Sequence, residues 1–459
     1  MPLIKSVSGI RGTIGGAPGE NLTPVDIIAF TSAYGSWLLE QTADRPSVVI
    51  GRDGRISGKH VQALVQETLC ALGIDVIDVG LSTTPTVEMY VPHTGAAGGI
   101  IITASHNPRA WNALKFLNAD GEFISAAVGA SILDMARRAS FRYATIDQVG
   151  THQRAKDALE HHVQSILDLD LVNAARVRAA GYHVVVDCIN STGAIAIPAL
   201  LDALGCTWTL INDEINGQFA HNPEPLPAHL HSLMQTVVDE QAQLGIAVDP
   251  DVDRLALVAE DGSYFGEEYT LVAVADHVLA HTPGPTVSNL SSTQALRDIT
   301  VRAGQAYTAS PVGEVHVVQQ MKESKAVIGG EGNGGIIYPA LHYGRDALVG
   351  IALVLTMLAE RRTSLSELRA TYPQYVISKN KINLEKGVDP DDVLSLVRRH
   401  YREAQTDTRD GLKILLAGEW IHLRKSNTEP VIRIYTESTS EERADQLAAE
   451  VLALITTSV

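Results

Sequence analysis

Short, unbroken apolar runs alternate along this chain with longer stretches whose apolar residues recur at helical spacing, and that alternation predicts a series of α/β units. Thr23 and Pro24 open the first helix as cap and first-turn proline, with Ile27, Phe30, Tyr34 and Leu38 along one face. Residues 47–50 then read as a strand entering the loop Gly51-Arg52-Asp53-Gly54-Arg55, followed by a helix at 59–72 and strands at 75–79 and 99–102. The theme returns with strands at 182–187 and 207–211 around a helix at 194–204. It returns again after Asp253, with strands at 255–258, 286–288 and 326–328 and a helix at 269–279. From about residue 372 the pattern changes to charged helices at 389–404 and 440–454 around a strand pair at 419–424 and 431–436. Three related α/β domains are therefore expected at 1–149, 150–252 and 253–371, then an α+β domain at 372–459. No low-complexity linker separates them, so they should pack around shared clefts.

Polar motifs stand where apolar runs end. Thr103-Ala104-Ser105-His106-Asn107-Pro108 follows the strand at 99–102 and sets one serine in a tight turn. Alone it is an ordinary turn, since serine and asparagine bond locally to backbone and proline fixes φ. Its neighbour His106 suggests a hydrolase nucleophile and base, but adjacent side chains of an extended chain point opposite ways and no Gly-x-Ser-x-Gly elbow surrounds Ser105. Asp249, Asp251 and Asp253 follow the strand-like 244–248, and their alternation with Pro250 and Val252 can turn three hard oxygen ligands toward one Mg²⁺. A calcium EF-hand loop fails, because Arg254 stands where that loop needs glycine and 255–258 reads as strand. Arg254 instead suits a bidentate clamp on phosphoryl.

Gly330-Glu331-Gly332-Asn333-Gly334-Gly335 has dinucleotide-like glycine spacing without the helix that must follow, and no Gly-Lys-Ser/Thr makes it a phosphate loop. Glycines there permit close approach of a ligand, with Glu331 and Asn333 offering hydrogen bonds to hydroxyls. Arg424-Lys425-Ser426-Asn427-Thr428-Glu429-Pro430 joins two strands and combines hydroxyls, an amide and cations, with Arg433 nearby, which suits a phosphate cradle. Together the four motifs describe a metal-assisted phosphoryl-transfer site.

Composition narrows the partners. With 459 residues and 45% hydrophobic content the chain is globular and multidomain, and a formal charge of −17 without a basic block argues against nucleic acid. A phosphorylated small molecule must meet a local basic pocket. The apolar run 347–359 is short of a membrane span and residues 1–6 have no signal core, so a soluble, cytoplasmic protein with no membrane partner is expected. Cys70, Cys188 and Cys206 lack metal-ligand spacing and read as buried free thiols.

The combination resembles the α-D-phosphohexomutase family, from Ser8-Gly9-Ile10-Arg11-Gly12 through Arg433. The resemblance implies three related α/β domains and a C-terminal domain around a central cleft. It also implies reversible movement of phosphate between C1 and C6 of a hexose phosphate, through a phosphoserine enzyme and a sugar bisphosphate that acts as intermediate and activator. Ser105 would carry the phosphate and, with Asp249, Asp251 and Asp253, hold one Mg²⁺ per chain. Glu331 and Asn333 would read the sugar, while Arg424, Ser426, Asn427, Thr428 and Arg433 would grip the non-reacting phosphate. Arg11, His106, Lys115 and Arg254 would position phosphate or assist proton transfer. Two departures stand out: Asn112-Ala113 replaces a common Asn-Gly, and Gly335 replaces the histidine of the bacterial Gly-Glu-x-Ser-Gly-His, leaving room that a histidine would fill. The pattern is most similar to the phosphoglucosamine mutase branch, which implies glucosamine 6-phosphate and glucosamine 1-phosphate as substrates. Phosphomannomutase/phosphoglucomutase activity is the alternative. A non-catalytic sugar-phosphate binder is the reading from another class, but binding alone needs neither the serine nor the three carboxylates.

Overall fold

Gly98–Ile102, Leu244–Val248 and Ile328–Glu331 are buried along their whole length, as parallel strands covered on both faces must be. In the computed structural model, which describes residues 3–6, 9–385, 388–425 and 431–458, each of these strands runs into a short loop and an antiparallel partner. The partners are Trp111–Leu117, Leu255–Ala259 and Gly335–Ile337. Each sheet then continues in one spatial order: antiparallel partner, third parallel strand, first, second. Ser47–Arg52 and Asp75–Leu81 complete the pattern in the first sheet, His183–Asp187 and Thr207–Ile211 in the second, Thr286–Asn289 and Tyr307–Ser310 in the third. The three units are thus one fold used three times, without a residue-level repeat. The serine loop, the carboxylate loop and the glycine-rich loop occupy the same hairpin in each.

Two of the expected boundaries fall inside sheets. His152–Arg154 pairs in parallel with Asp75–Leu81, so the first sheet extends past the division at 149/150. Leu255–Ala259 pairs with Leu244–Val248, so the division at 252/253 cuts the second sheet's hairpin. Beyond the third unit, Val376–Asn383, Val431–Ser438, Trp420–Lys425, Leu412–Leu415 and Gln405–Asp407 form an entirely antiparallel sheet in that order. Pro390–His400 and Glu441–Ser458 pack on it, the former four residues shorter at its C-terminus than its pattern suggested.

Ala347–Arg361 is buried on all sides for most of its length, which is why its sequence is apolar throughout. It joins the second and third units in one hydrophobic core that includes Val186, Ile246, Leu271 and Leu353. The first unit and the C-terminal domain have cores of their own. Among the described residues no helix is long and apolar enough to cross a membrane, and Cys70, Cys188 and Cys206 are buried free thiols.

Candidate active site at the hairpin loops

Ser105 sits at φ 47, a left-handed conformation uncommon for a residue with a side chain, and the surroundings over-determine it. Arg55, fully buried, donates to the carbonyls of Ser105 (2.5 Å), Asn107 (2.7 Å), Pro108 (2.9 Å) and Trp111 (2.9 Å). Asp53 fixes that guanidinium at 2.9 Å and accepts from the Thr103 hydroxyl at 2.7 Å, and Thr103 Oγ1 in turn takes the Ser105 N–H. One arginine therefore shapes the whole serine turn. The left-handed backbone also overturns the expectation that Ser105 and His106 diverge: Ser105 Oγ lies 3.3 Å from His106 Nδ1. Burial, then Arg254, Arg345 and Arg11, hold the His106 imidazole well below its ordinary pKa, so it is neutral.

Ser105 Oγ also donates to Asp249 Oδ2 at 2.6 Å, 144 residues away in sequence. Asp249, Asp251 and Asp253 are wholly buried, with one oxygen from each within 4.8 Å of the others. Val252 between them adopts φ 60, strained for a β-branched residue, and this kink helps turn Asp251 and Asp253 inward. Burial and the neighbouring carboxylates raise the Asp249 pKa well above the usual range. Burial opposes charge on Asp251 too, but the Lys115 ammonium at 2.8 Å and the Thr84 hydroxyl outweigh it and hold that group ionised. The buried Oδ1 atoms of Asp251 and Asp253 have no hydrogen-bond donor. Orphaned hard oxygens in a cluster that repels itself fit a divalent ion such as Mg²⁺.

Cations face these carboxylates. Lys115 is 3.6 Å from Asp253 as well, and although burial disfavours its charge, the two aspartates raise its pKa and keep it protonated. Arg254 is buried, and its Nε has no acceptor. Arg11 is electrostatically coupled to both Arg254 and Arg345.

Arg345 carries chemistry that the sequence motifs did not reveal. It donates to Asp253 Oδ2 at 2.6 Å and Glu331 Oε2 at 3.0 Å, and its Nε lies 3.1 Å from Glu314 Oε2. A Cβ built on Gly335 would meet Arg345 Cδ at 2.4 Å, so the space expected to stand open at Gly335 is filled by the arginine stem. Glu331 does not project freely: it accepts from Arg345, Asn289 (2.9 Å) and the Gly313 N–H (3.0 Å), and these donors keep it ionised against burial. Asn333 is half-buried and caps the Gly335 N–H at 3.1 Å.

Ser8 of the first unit and Ser426, Asn427 and Thr428 of the C-terminal domain lie outside the described residues, but the strands flanking the last three do not. Arg424 and Arg433 are directly opposed across Trp420–Lys425 and Val431–Ser438, and Lys381 opposes Arg433 on its other side. Directly opposed residues share a sheet face, and like charges there repel. Asp410 offsets Arg424 alone, at 2.8 Å. The row Lys381–Arg433–Arg424 thus lines up three cations across the sheet, and the alignment of Lys381 with the motif exists only there.

Comparison with known proteins accords with this arrangement. Models of the phosphoglucomutase/phosphomannomutase alpha/beta/alpha domains I, II and III match residues 3–143, 160–262 and 266–375, and the C-terminal domain model matches 385–454. A probable phosphoglucosamine mutase of Methanopyrus kandleri is 35% identical, over 98% of this chain and 96% of its own. A phosphoglucomutase/phosphomannomutase of Thermococcus kodakarensis is 34% identical, over 94% and 95%. Among solved structures, a phosphoglucomutase/phosphomannomutase family protein from Burkholderia thailandensis matches with TM-score 0.85 at 26% identity, covering 99% of this chain and 98% of that one. Likeness on this scale along the full length of both partners places the chain in the α-D-phosphohexomutase family, and it is an intramolecular phosphotransferase.

Proposed function

We propose that this enzyme interconverts glucosamine 6-phosphate and glucosamine 1-phosphate through phosphorylated Ser105 and a sugar bisphosphate. The observation that carries the covalent reading is the Ser105 hydroxyl bonded to Asp249 inside a buried carboxylate trio with orphaned oxygens. Mg²⁺ held by Ser105, Asp249, Asp251 and Asp253 would neutralise charge on the transferring group. In the first transfer a sugar hydroxyl oxygen bonds to the phosphorus on Ser105 as the bond to Ser105 Oγ breaks. The hydroxyl proton leaves for a nearby base. In the second transfer, Ser105 Oγ takes the phosphate from the other end of the turned sugar. His106, 3.3 Å from Ser105 Oγ, and Lys115, 2.8 Å from Asp251, are the candidates for the base and acid work. Arg11, Arg254 and Arg345 supply preorganised positive charge around the phosphoryl oxygens. Lys381, Arg424 and Arg433, with Ser426, Asn427 and Thr428, hold the phosphate that is not reacting. Asn333 reads the sugar directly, and Glu331 acts through Arg345.

Glucosamine is favoured by the glycine-rich loop and by the naming of the Methanopyrus kandleri relative. A broader phosphoglucomutase/phosphomannomutase is the second reading, favoured by the Thermococcus kodakarensis relative of nearly equal identity. Measuring kcat/KM for glucosamine, glucose and mannose 6-phosphates separates them. The glucosamine compound should stand clearly above the others, and comparable values would establish the broad mutase. Ser105→Ala should abolish turnover of all three while retaining substrate binding; unimpaired turnover would exclude the covalent route.

A further inference from the structure

A second polar cluster lies outside the phosphoryl-transfer residues, where the three α/β units meet. His162 comes from Ala158–Leu167 of the second unit, while His342 and Asp346 precede Ala347–Arg361 in the third. Thr86 and Glu88 come from Thr84–Thr94 of the first. His162 Nε2 lies 2.8 Å and His342 Nε2 3.3 Å from Asp346 Oδ2, and one ligating atom from each of the three falls within 4.8 Å of the others. Asp346 Oδ1 is separately engaged, accepting from the Leu348 and Val349 N–H groups at 2.8 and 3.3 Å.

With both rings neutral, each Nε2–H donates to Asp346 and each Nδ1 is left as an acceptor. That suits His162, whose Nδ1 lies 2.9 Å from the Thr86 hydroxyl. It leaves Glu88 Oε2, 3.6 Å from His342 Nδ1, without a donor unless that ring carries both protons. Glu88 is only 2% exposed, and neither of its carboxylate oxygens has a hydrogen-bond donor. Gly344 lies against this carboxylate so closely that a Cβ there would meet Oε2 at 1.9 Å, so the backbone leaves room for an acidic group pointed at His342. An ion on both Nε2 atoms requires the ring protons on Nδ1. Glu88 then gains a donor from His342, and Thr86 Oγ1 accepts from His162. Ligating histidines characteristically hold such a second partner, often a carboxylate.

We propose that His162, His342 and Asp346 bind one divalent transition ion of the zinc class, with Glu88 and Thr86 orienting the two imidazoles. Two imidazoles and one carboxylate suit zinc, whereas the all-oxygen trio Asp249, Asp251 and Asp253 suits Mg²⁺. Of the three side chains, His342 keeps 13% exposure, while His162 and Asp346 are closed off from solvent. Because its ligands come from two domains and their supports from a third, the ion would pin the three α/β units together. This site is independent of which sugar the enzyme prefers.

Equilibrium dialysis of the whole protein against zinc in excess Mg²⁺, with metal analysis and thermal melting, tests the proposal. Wild type should retain about one zinc per chain and melt at higher temperature with it. His342→Gln should lose both effects, Glu88→Gln should bind zinc about 10–100-fold more weakly, and Asp251→Asn should keep the zinc. Failure of wild type to retain zinc, retention undiminished in His342→Gln, or loss in Asp251→Asn would each overturn it. Should His342→Gln not fold, the folded Glu88→Gln decides through its affinity, and unchanged zinc binding there overturns the assignment.

Discussion

Ser105, Asp249, Asp251 and Asp253 could be found by reading along the chain because the residues of each loop are contiguous and follow an apolar strand. Arg55, Arg345 and Lys381 could not. Arg55 acts on carbonyls about 50 residues away, and Arg345 joins Glu331, 14 residues before it, to Asp253, 92 residues before it. Gly335 was legible as a departure, but its meaning was not, since only the packing shows an arginine stem where a histidine would stand. Arg345 also yields a sharp expectation. Arg345→Met leaves Asp253, Glu314 and Glu331 buried without their shared cation, and breaking buried pairs of this kind costs about 3–5 kcal/mol. Denaturant unfolding of this variant should show a loss of that order, together with near-complete loss of turnover. Arg345→Lys should remain impaired, since an ammonium cannot span three carboxylates as a planar guanidinium does. A wild-type unfolding midpoint in the Met variant would mean that the carboxylates do not depend on Arg345.

Most strands and helices followed from apolar patterning, because fully buried strands must be apolar on both faces. The boundaries at 149/150 and 252/253 did not, because His152–Arg154 and Leu255–Ala259 join their sheets through pairings that no local pattern encodes. The backbone strain at Ser105 and Val252 was equally invisible, as neither position carries the glycine that usually marks a positive φ. Where the C-terminal sheet meets the third unit, His422 Nδ1 lies 3.0 Å from the Ser291 hydroxyl and its Nε2 2.8 Å from the Asp410 carbonyl. Burial, with Lys413 and Arg424 adding to it, pushes its pKa down to about 4. The unfolded chain binds this proton near pH 6.5, so the stabilising effect of the neutral ring is complete above that value and is lost as pH falls toward about 4. The loss is on the order of 3 kcal/mol, and His422→Asn should flatten that part of the stability-against-pH curve. An identical acid slope in the variant would remove His422 from the account.

Across the whole molecule, the second and third units share one core, and the first unit and the C-terminal domain keep cores of their own. The first unit reaches the carboxylate loop through the Thr84 N–H on the Asp251 carbonyl at 2.8 Å and the Thr84 hydroxyl on its side chain at 2.6 Å. The C-terminal domain is held to the third unit by Lys413 on the Leu290 carbonyl at 2.6 Å and by the Val312 N–H on Asp410 at 2.9 Å. Asp410 also holds Arg424, so the same carboxylate that docks the domain sets one end of the cation row. A threefold α/β plan was legible in the repeated element order, but the equivalence of the three loops emerged only from sheet topology, since they share no residue pattern. On the covalent route, phosphate leaves and returns through Ser105. Quenching the enzyme during turnover of a hexose phosphate labelled on phosphorus, and following the label, decides whether it does. The expected result is label on Ser105 and in the isomeric sugar phosphate, with little inorganic phosphate, whereas label released mainly as inorganic phosphate, or turnover without labelled Ser105, would contradict it.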